Sequence, residues 1–235
     1  MSGLDRGLHA IHCRSPAEIA SATGFIVSRL PNGKTPGSIV WVSHTPNQTE
    51  AGRLCGHGVN EFGFSPENIL FVHPDTVPDA LWAVEEAIEN TSISSIVAEI
   101  FCREHLSLTA TRRISLRLRD NPKAVFLMVQ SKSMFSTTAA THWRVEPKLL
   151  GGDVVSIGWR LSLLKNRAGP TGGWRVRYRI ADRDLRFSSS QKFKRVDKGP
   201  LGQQIVNHDQ SSLFPILARL AVERRRLKEK SLERS

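Results

Sequence analysis

Cysteine is scarce in this chain of 235 residues: Cys13, Cys55 and Cys102 are all there is. An odd number with no C-x-x-C pair argues against a disulfide framework and against a zinc site, so buried free thiols are expected. Long apolar runs are missing as well. Nothing approaches the ~20 apolar residues that span a bilayer, and the start has no charged segment leading into an apolar stretch. The expectation is a cytoplasmic protein that does not engage a membrane. No G-x-S-x-G occurs, which excludes the nucleophile elbow of a Ser/His/Asp hydrolase. His12, His44, His57 and His73 fall near predicted strand ends or loops, and even with Cys55 nearby their spacing fits no zinc pattern. They read as ordinary loop histidines, with no metal and no cofactor expected.

Charge imbalance is confined to one part of the chain, and it comes from added Lys and Arg, since acidic residues are equally frequent in both parts. Residues 1–150 hold 14 Lys and Arg against 14 Asp and Glu, whereas residues 151–235 hold 19 against 8, so the entire net charge of +11 lies in the later part. A neutral body with a basic C-terminal part points to a polyanion or an acidic protein surface as partner.

What is present is a core-forming composition, 40 % hydrophobic, arranged as alternating strands and helices. Leu8–His12 reads as a strand, and Ser15-Pro16-Ala17-Glu18 as a helix start with Ser as cap and Pro in the first turn. Strands follow at Ser38–Ser43, Asn68–His73, Ser95–Glu99 with Ile100, and Ala124–Gln130, each apolar enough to be buried on both faces. Helices are expected near Thr49–Glu61, from Pro78 with a solvated acidic face (Glu85, Glu86, Glu89), and over Leu108–Arg119 with Ser107 as cap. The arginines Arg112, Arg113, Arg117 and Arg119 read as a solvated face of that last helix. This order implies right-handed βαβ crossovers and a mostly parallel sheet. After Thr141 the pattern changes to alternation, over His142–Val145, Val155–Asn166 and Trp174–Ile180, as expected of antiparallel strands at a sheet edge. In the last of these the apolar residues fall on one side and Arg175, Arg177 and Arg179 on the other. The five tryptophans read mostly as core, with Trp174 a candidate for exposure near the hairpin. Residues 181–210 read as a polar linker and 211–235 as a basic helix, leaving 1–180 as the core domain.

Two stretches carry a resemblance to a known family. In the first, Glu67-Asn-Ile-Leu70, Pro74-Asp-Thr76 and Ala80-Leu81 follow the order of the RecA core, and the helix Ala80-Leu-Trp-Ala-Val-Glu-Glu-Ala87 with Leu106-Ser-Leu-Thr-Ala-Thr-Arg-Arg113 resembles ImuA. In the second, Thr138-Ala-Ala-Thr-His-Trp-Arg-Val145, Trp159–Arg167 and Gly172-Gly-Trp174 are similar to the C-terminal strands of ImuA, with Lys165-Asn166-Arg167 at the position of the RecA hairpin. The resemblance covers about residues 4–180. It implies a RecA-like α/β fold, a mostly parallel sheet flanked by helices with antiparallel strands at the edge, to which the residue pattern adds a basic C-terminal helix.

The family's ATP site is what the resemblance leads one to look for. RecA proteins cradle phosphates with the backbone amides of a Gly-rich loop that opens a helix, with a Lys on the phosphates and a Thr or Ser on magnesium. Here the corresponding segment, residues 11–20, has no glycine. Ile19 stands where the Lys would be, Ala20 where the Thr would be, and Ser43 where the catalytic Glu would be. Glu99 alone keeps an acid. Gly33-Lys34-Thr35 mimics the end of a Walker A motif, but Ser28 replaces the upstream glycine, and the tripeptide precedes a strand instead of following one. The resemblance therefore implies no catalysis. It implies an accessory protein of damage-induced mutagenesis that acts beside an ImuB-like polymerase-related protein and an error-prone replicative-type DNA polymerase, with RecA and single-stranded DNA as further contacts. The alternatives are a SulA-like cell-division inhibitor and a RecA/RadA-type DNA-dependent ATPase. Candidate partner or DNA-binding residues are Arg219, Arg224, Arg225, Arg226, Lys228 and Lys230 in the terminal cluster, and Lys165 and Arg167 in the hairpin.

Overall fold

The computed structural model describes residues 4–30, 38–102, 106–149 and 156–191, all within one unit spanning residues 1–194. Nine strands among them, β1 (Gly7–Cys13), β2 (Ser38–Ser43), β3 (Ile69–Val72), β4 (Ile93–Phe101), β5 (Ala124–Gln130), β6 (Thr141–Lys148), β7 (Ser156–Asn166), β8 (Gly172–Arg179) and β9 (Asp184–Gln191), form a single sheet in the order β3-β2-β4-β5-β1-β6-β7-β8-β9. The first six run parallel and the last three are added antiparallel. The expected α/β architecture is thus present. One detail differs: β6 belongs to the parallel part, because it pairs with β1 as well as with β7.

The helices sort by direction of travel. Those on leftward crossovers, α1 (Pro16–Val27) and the short α2 (Thr45–Ala51) and α3 (Gly56–Glu61), cover one face, where Phe25 and Ile26 of α1 join Trp41, Phe126 and Trp159 of the strands in one core. Those on rightward crossovers, α4 (Val77–Glu89) and α5 (Leu108–Asp120), cover the other face over Val40, Ile96, Ile100 and Leu127. A right-handed rule for every crossover requires this segregation. The expected caps Ser15 and Ser107 are in place, and Thr76 adds one that was not anticipated: each side chain accepts from the third residue on, opening α1, α5 and α4.

Several expectations are corrected. The helix read over 49–61 is two short helices, because Gly52, at φ +84°, ends the first. Strand β3 lies at the sheet edge, so Leu70 and Phe71 are exposed where burial on both faces was expected. The acidic and basic helix faces are not both solvated. Glu85 on α4 is buried and meets Arg113 (2.8 Å) and Arg117 (3.3 Å) of α5, and Glu89 takes Arg117 at 3.0 Å. Trp82 is exposed on α4, while Trp41, Trp143 and Trp159 are core and Trp174 is half-buried. Only Cys13 is a fully buried thiol; Cys55 is exposed and Cys102 intermediate. Finally, β9 occupies the beginning of the stretch read as a linker over 181–210. Its start alternates, Asp184-Leu-Arg-Phe187, with Leu185 packed against the core, but the run is short and ends in the polar Ser188-Ser-Ser-Gln191; it pairs with β8 from Gly173 to Arg179. The expected remainder of that linker and the helix over 211–235 lie outside the described residues. No helix of the described residues is long and apolar enough to cross a membrane.

A left-handed glycine joins the two layers of loops. Gly63, at φ +82°, follows α3, and a Cβ there would come within 2.4 Å of the Arg183 guanidinium. Gly58, inside α3, has only ordinary contact at 3.9 Å. Gly63→Ala should lower unfolding free energy by about 1–2 kcal/mol, the left-handed penalty of an L-residue, with more if Arg183 cannot shift. Gly58→Ala should be neutral or stabilising by up to about 1 kcal/mol. Urea midpoints of the two variants check this.

Candidate functional site

In open α/β sheets, ligands sit outside the carboxyl ends of strands where neighbouring connections depart to opposite faces. Here that place is the boundary between β5 and β1: β1 exits into α1 on one face, while residues 131–140 leave β5 on the other, burying Phe135 and Ala139. Every position of the resembled ATP site that sequence reasoning named gathers there or beside it.

The turn from β1 into α1 is occupied by the chain's own carboxylate. Glu18 is buried and reaches back to accept from the Arg14 backbone N–H at 2.9 Å, from Arg14 Nε at 2.8 Å and from the terminal guanidinium nitrogen at 2.6 Å. The same guanidinium contacts Glu146 of β6 at 2.8 Å. This is a capping-box arrangement, Ser15-x-x-Glu18, reaching one residue further back than usual. A phosphate loop holds an external anion with backbone amides at this point; here an internal carboxylate takes the Arg14 amide. Ile19, at the Lys position, points into the core, and Ala20 is exposed.

The two remaining positions face each other. Ser43, the last residue of β2, is in register with Glu99 of β4. Its hydroxyl donates to Glu99 Oε2 at 2.9 Å, and Thr23 of α1 donates to Oε1 at 3.2 Å. Both Ser43 and Glu99 are buried. Thr23 is the residue sequence reading missed: nothing in its local pattern indicates that α1 would deliver a hydroxyl to the end of β4.

The departing segments are tied together across the boundary. Ser131 N–H donates to the Cys13 carbonyl at 3.1 Å, and His12 Nε2 donates to the Ser131 carbonyl at 3.0 Å. His44 bridges likewise, accepting from the Phe101 N–H at 3.3 Å and donating to the Asp75 carbonyl at 3.2 Å. These two histidines are therefore built into the frame; His57 and His73 are exposed. Among the described residues no three His, Cys, Asp or Glu side chains form a group able to hold a metal ion. A small open cleft of about 140 Å³ lies at the end of β2 and β3, lined by Trp41, Ser43, Arg53, Leu54, Phe71 and His73.

Of the basic candidates, Lys165 is the last residue but one of β7 and turns inward, donating to the Thr137 carbonyl at 2.6 Å. Burial lowers its pKa, as does the charge of Arg167. Arg167 is exposed in the turn, its N–H held by the Ala140 carbonyl at 2.9 Å. The hairpin thus offers one free cation and one committed to the fold. Arg219, Arg224, Arg225, Arg226, Lys228 and Lys230 lie outside the described residues, as does the Gly33-Lys34-Thr35 mimic.

Two histidines of the parallel strands make stability sensitive to acid. Burial pushes the imidazoles of His9 and His142 down from 6.5 to about 4. His9 donates from Nε2 to the Arg6 carbonyl and accepts at Nδ1 from Thr141, whose hydroxyl oxygen also accepts from Trp143 Nε1. His142 packs on Phe135 with ring centres 4.9 Å apart, and its Nε2 has no hydrogen-bond partner. The unfolded chain takes up protons near pH 6.5, whereas the folded imidazoles resist until about 4. The stability they contribute is therefore complete above about 6.5 and is lost as the pH falls towards about 4, up to about 3 kcal/mol for each. Denaturant titrations across this window should show the loss, and His142→Gln should flatten part of it.

No family model matches this chain, and no curated protein matches it. Among solved structures, SulA from Pseudomonas aeruginosa is similar at 17 % identity and a TM-score of 0.40, over 53 % of this chain and 97 % of that one.

Proposed function

We propose that this protein is a non-catalytic accessory factor of damage-induced mutagenesis, similar to ImuA, which helps assemble an error-prone translesion DNA synthesis complex. Its partners in this reading are an ImuB-like polymerase-related protein and an error-prone replicative-type DNA polymerase, with RecA as a further contact. The observation that carries the non-catalytic half is the buried Glu18 carboxylate, clamped by Arg14 at the turn where the resembled family holds phosphate. A triphosphate brought there would meet a negative charge instead of open amides, with Ile19 in place of the lysine. The assembly half is supported by the sequence resemblance over residues 80–87, 106–113 and 138–174.

Charge-assisted phosphate contacts are worth roughly 1.5–3 kcal/mol each, so losing several removes measurable nucleotide binding. Calorimetric titration with ATP and magnesium should give no heat of binding. Micromolar ATP binding that is lost in Glu99→Ala would contradict the reading. Deleting the gene should lower mutation frequency after ultraviolet exposure while leaving undamaged growth nearly unchanged. Normal mutagenesis together with abnormal division after damage would replace the proposal with a division inhibitor.

A further inference from the structure

Strands β6 to β9 form an antiparallel half-sheet with two unlike faces. One sends Trp143, Val145, Trp159, Leu161, Val176 and Tyr178 into the core. On the other, strand alternation and register collect Arg144, Arg160, Arg175, Arg177, Arg179 and Arg186, with Lys148 at the end of β6. Arg160 lies directly opposite Arg175, and Arg177 directly opposite Arg186. Like charges facing each other across strands are destabilising. Three carboxylates lie on or beside the face: Glu146, in register with Arg160, is drawn to Arg14 at 2.8 Å, while Asp184 pairs with Arg186 at 2.6 Å and Asp182 with Arg179 at 2.7 Å, so two of its arginines are partnered. Arg160, Arg175, Arg177 and Arg186 are exposed. Neither Arg160 nor Arg177 has an ion-pair partner among the described residues.

We propose that this arginine face binds the phosphodiester backbone of a nucleic acid. The inference does not rest on the proposed function and concerns a different face of the molecule from the strand-end site. Charge decides between occupants. The chain's own residues 192–235 carry 11 Lys and Arg against 5 Asp and Glu, the same sign as the face, and a second copy of the face is like-charged too. An acidic protein partner would need apolar or aromatic anchors at the centre of the contact, and the large apolar side chain left exposed here is Leu164, at 38 %. What the face offers instead is arginine at every second residue of β8, a backbone repeat of about 7 Å. The planar guanidinium forks match phosphate oxygens in pairs. Backbone contacts of this kind hold a strand without reading its sequence.

The test is fluorescence anisotropy of labelled single- and double-stranded oligonucleotides with the full chain, over a range of salt. Wild-type protein should bind, with affinity falling steeply as salt rises. The triple variant Arg160→Gln, Arg175→Gln, Arg177→Gln should bind about 10- to 100-fold more weakly at low salt, with a log–log salt slope shallower by about 2, at roughly 0.7 per phosphate lost on a single strand. The same loss should appear when Arg224, Arg225 and Arg226 are also changed to Gln, which separates the face from the terminal cluster. The melting temperature of the triple variant should not fall, since two opposed arginine pairs are relieved. The proposal is overturned if wild-type protein binds no oligonucleotide, or if the triple variant keeps wild-type affinity and slope. It is overturned equally if a poly-glutamate peptide of matching charge binds more tightly than the oligonucleotide and loses that binding in the triple variant.

Discussion

Strand β1 is the constraint on which the molecule turns. It is hydrogen-bonded on both sides by parallel neighbours, β5 and β6, and buried on both faces. Parallel neighbours on both sides force the chain to leave β1 by a crossover, and β1's position at the centre fixes where that crossover begins. The turn into α1 therefore opens at the place where α/β folds bind their ligands. The side chains that occupy that turn decide what it can hold. Here they are Arg14, Ser15, Pro16 and Glu18, and they satisfy one another.

The same centre holds the two halves of the sheet together. Thr141 of β6 links His9 of β1 to Trp143 through one hydroxyl, at a position where the two strands are in register. His12 and Ser131 close the gap between β1 and the segment leaving β5. A buried, self-satisfied crevice has little use for a small anion, so the exposed chemistry of the molecule moves outward. It is found on the half-sheet β6–β9, where the core needs only one face and the other is free to accumulate arginine.

Much of this was legible in the sequence because the signals were local. Ser-Pro-x-Glu at 15–18 and Ser107 before the Arg-rich helix each name a cap, and each cap forms. The alternation Trp174-Arg-Val-Arg-Tyr-Arg179 states its own two faces, and the register confirms them. What escaped was set by tertiary partners. Glu85 reads as solvated until α5 brings Arg113 and Arg117 against it. Lys165 reads as a hairpin cation until the Thr137 carbonyl claims it. Strand β9 offers only the short alternation Asp184-Leu-Arg-Phe187, overlooked within a polar stretch, and is secured by pairing with β8. The link between Thr23 and Glu99 spans helix and strand ends 76 residues apart, a separation at which sequence pattern carries no information.

The account turns on the molecule being a frame for partners in a damage response, and one measurement addresses that directly. A tagged full-length chain, recovered from cells after ultraviolet exposure and analysed by mass spectrometry, should bring down a polymerase-related protein and an error-prone DNA polymerase in amounts that rise with damage. Recovery of a division GTPase instead, with neither polymerase component enriched, would contradict it.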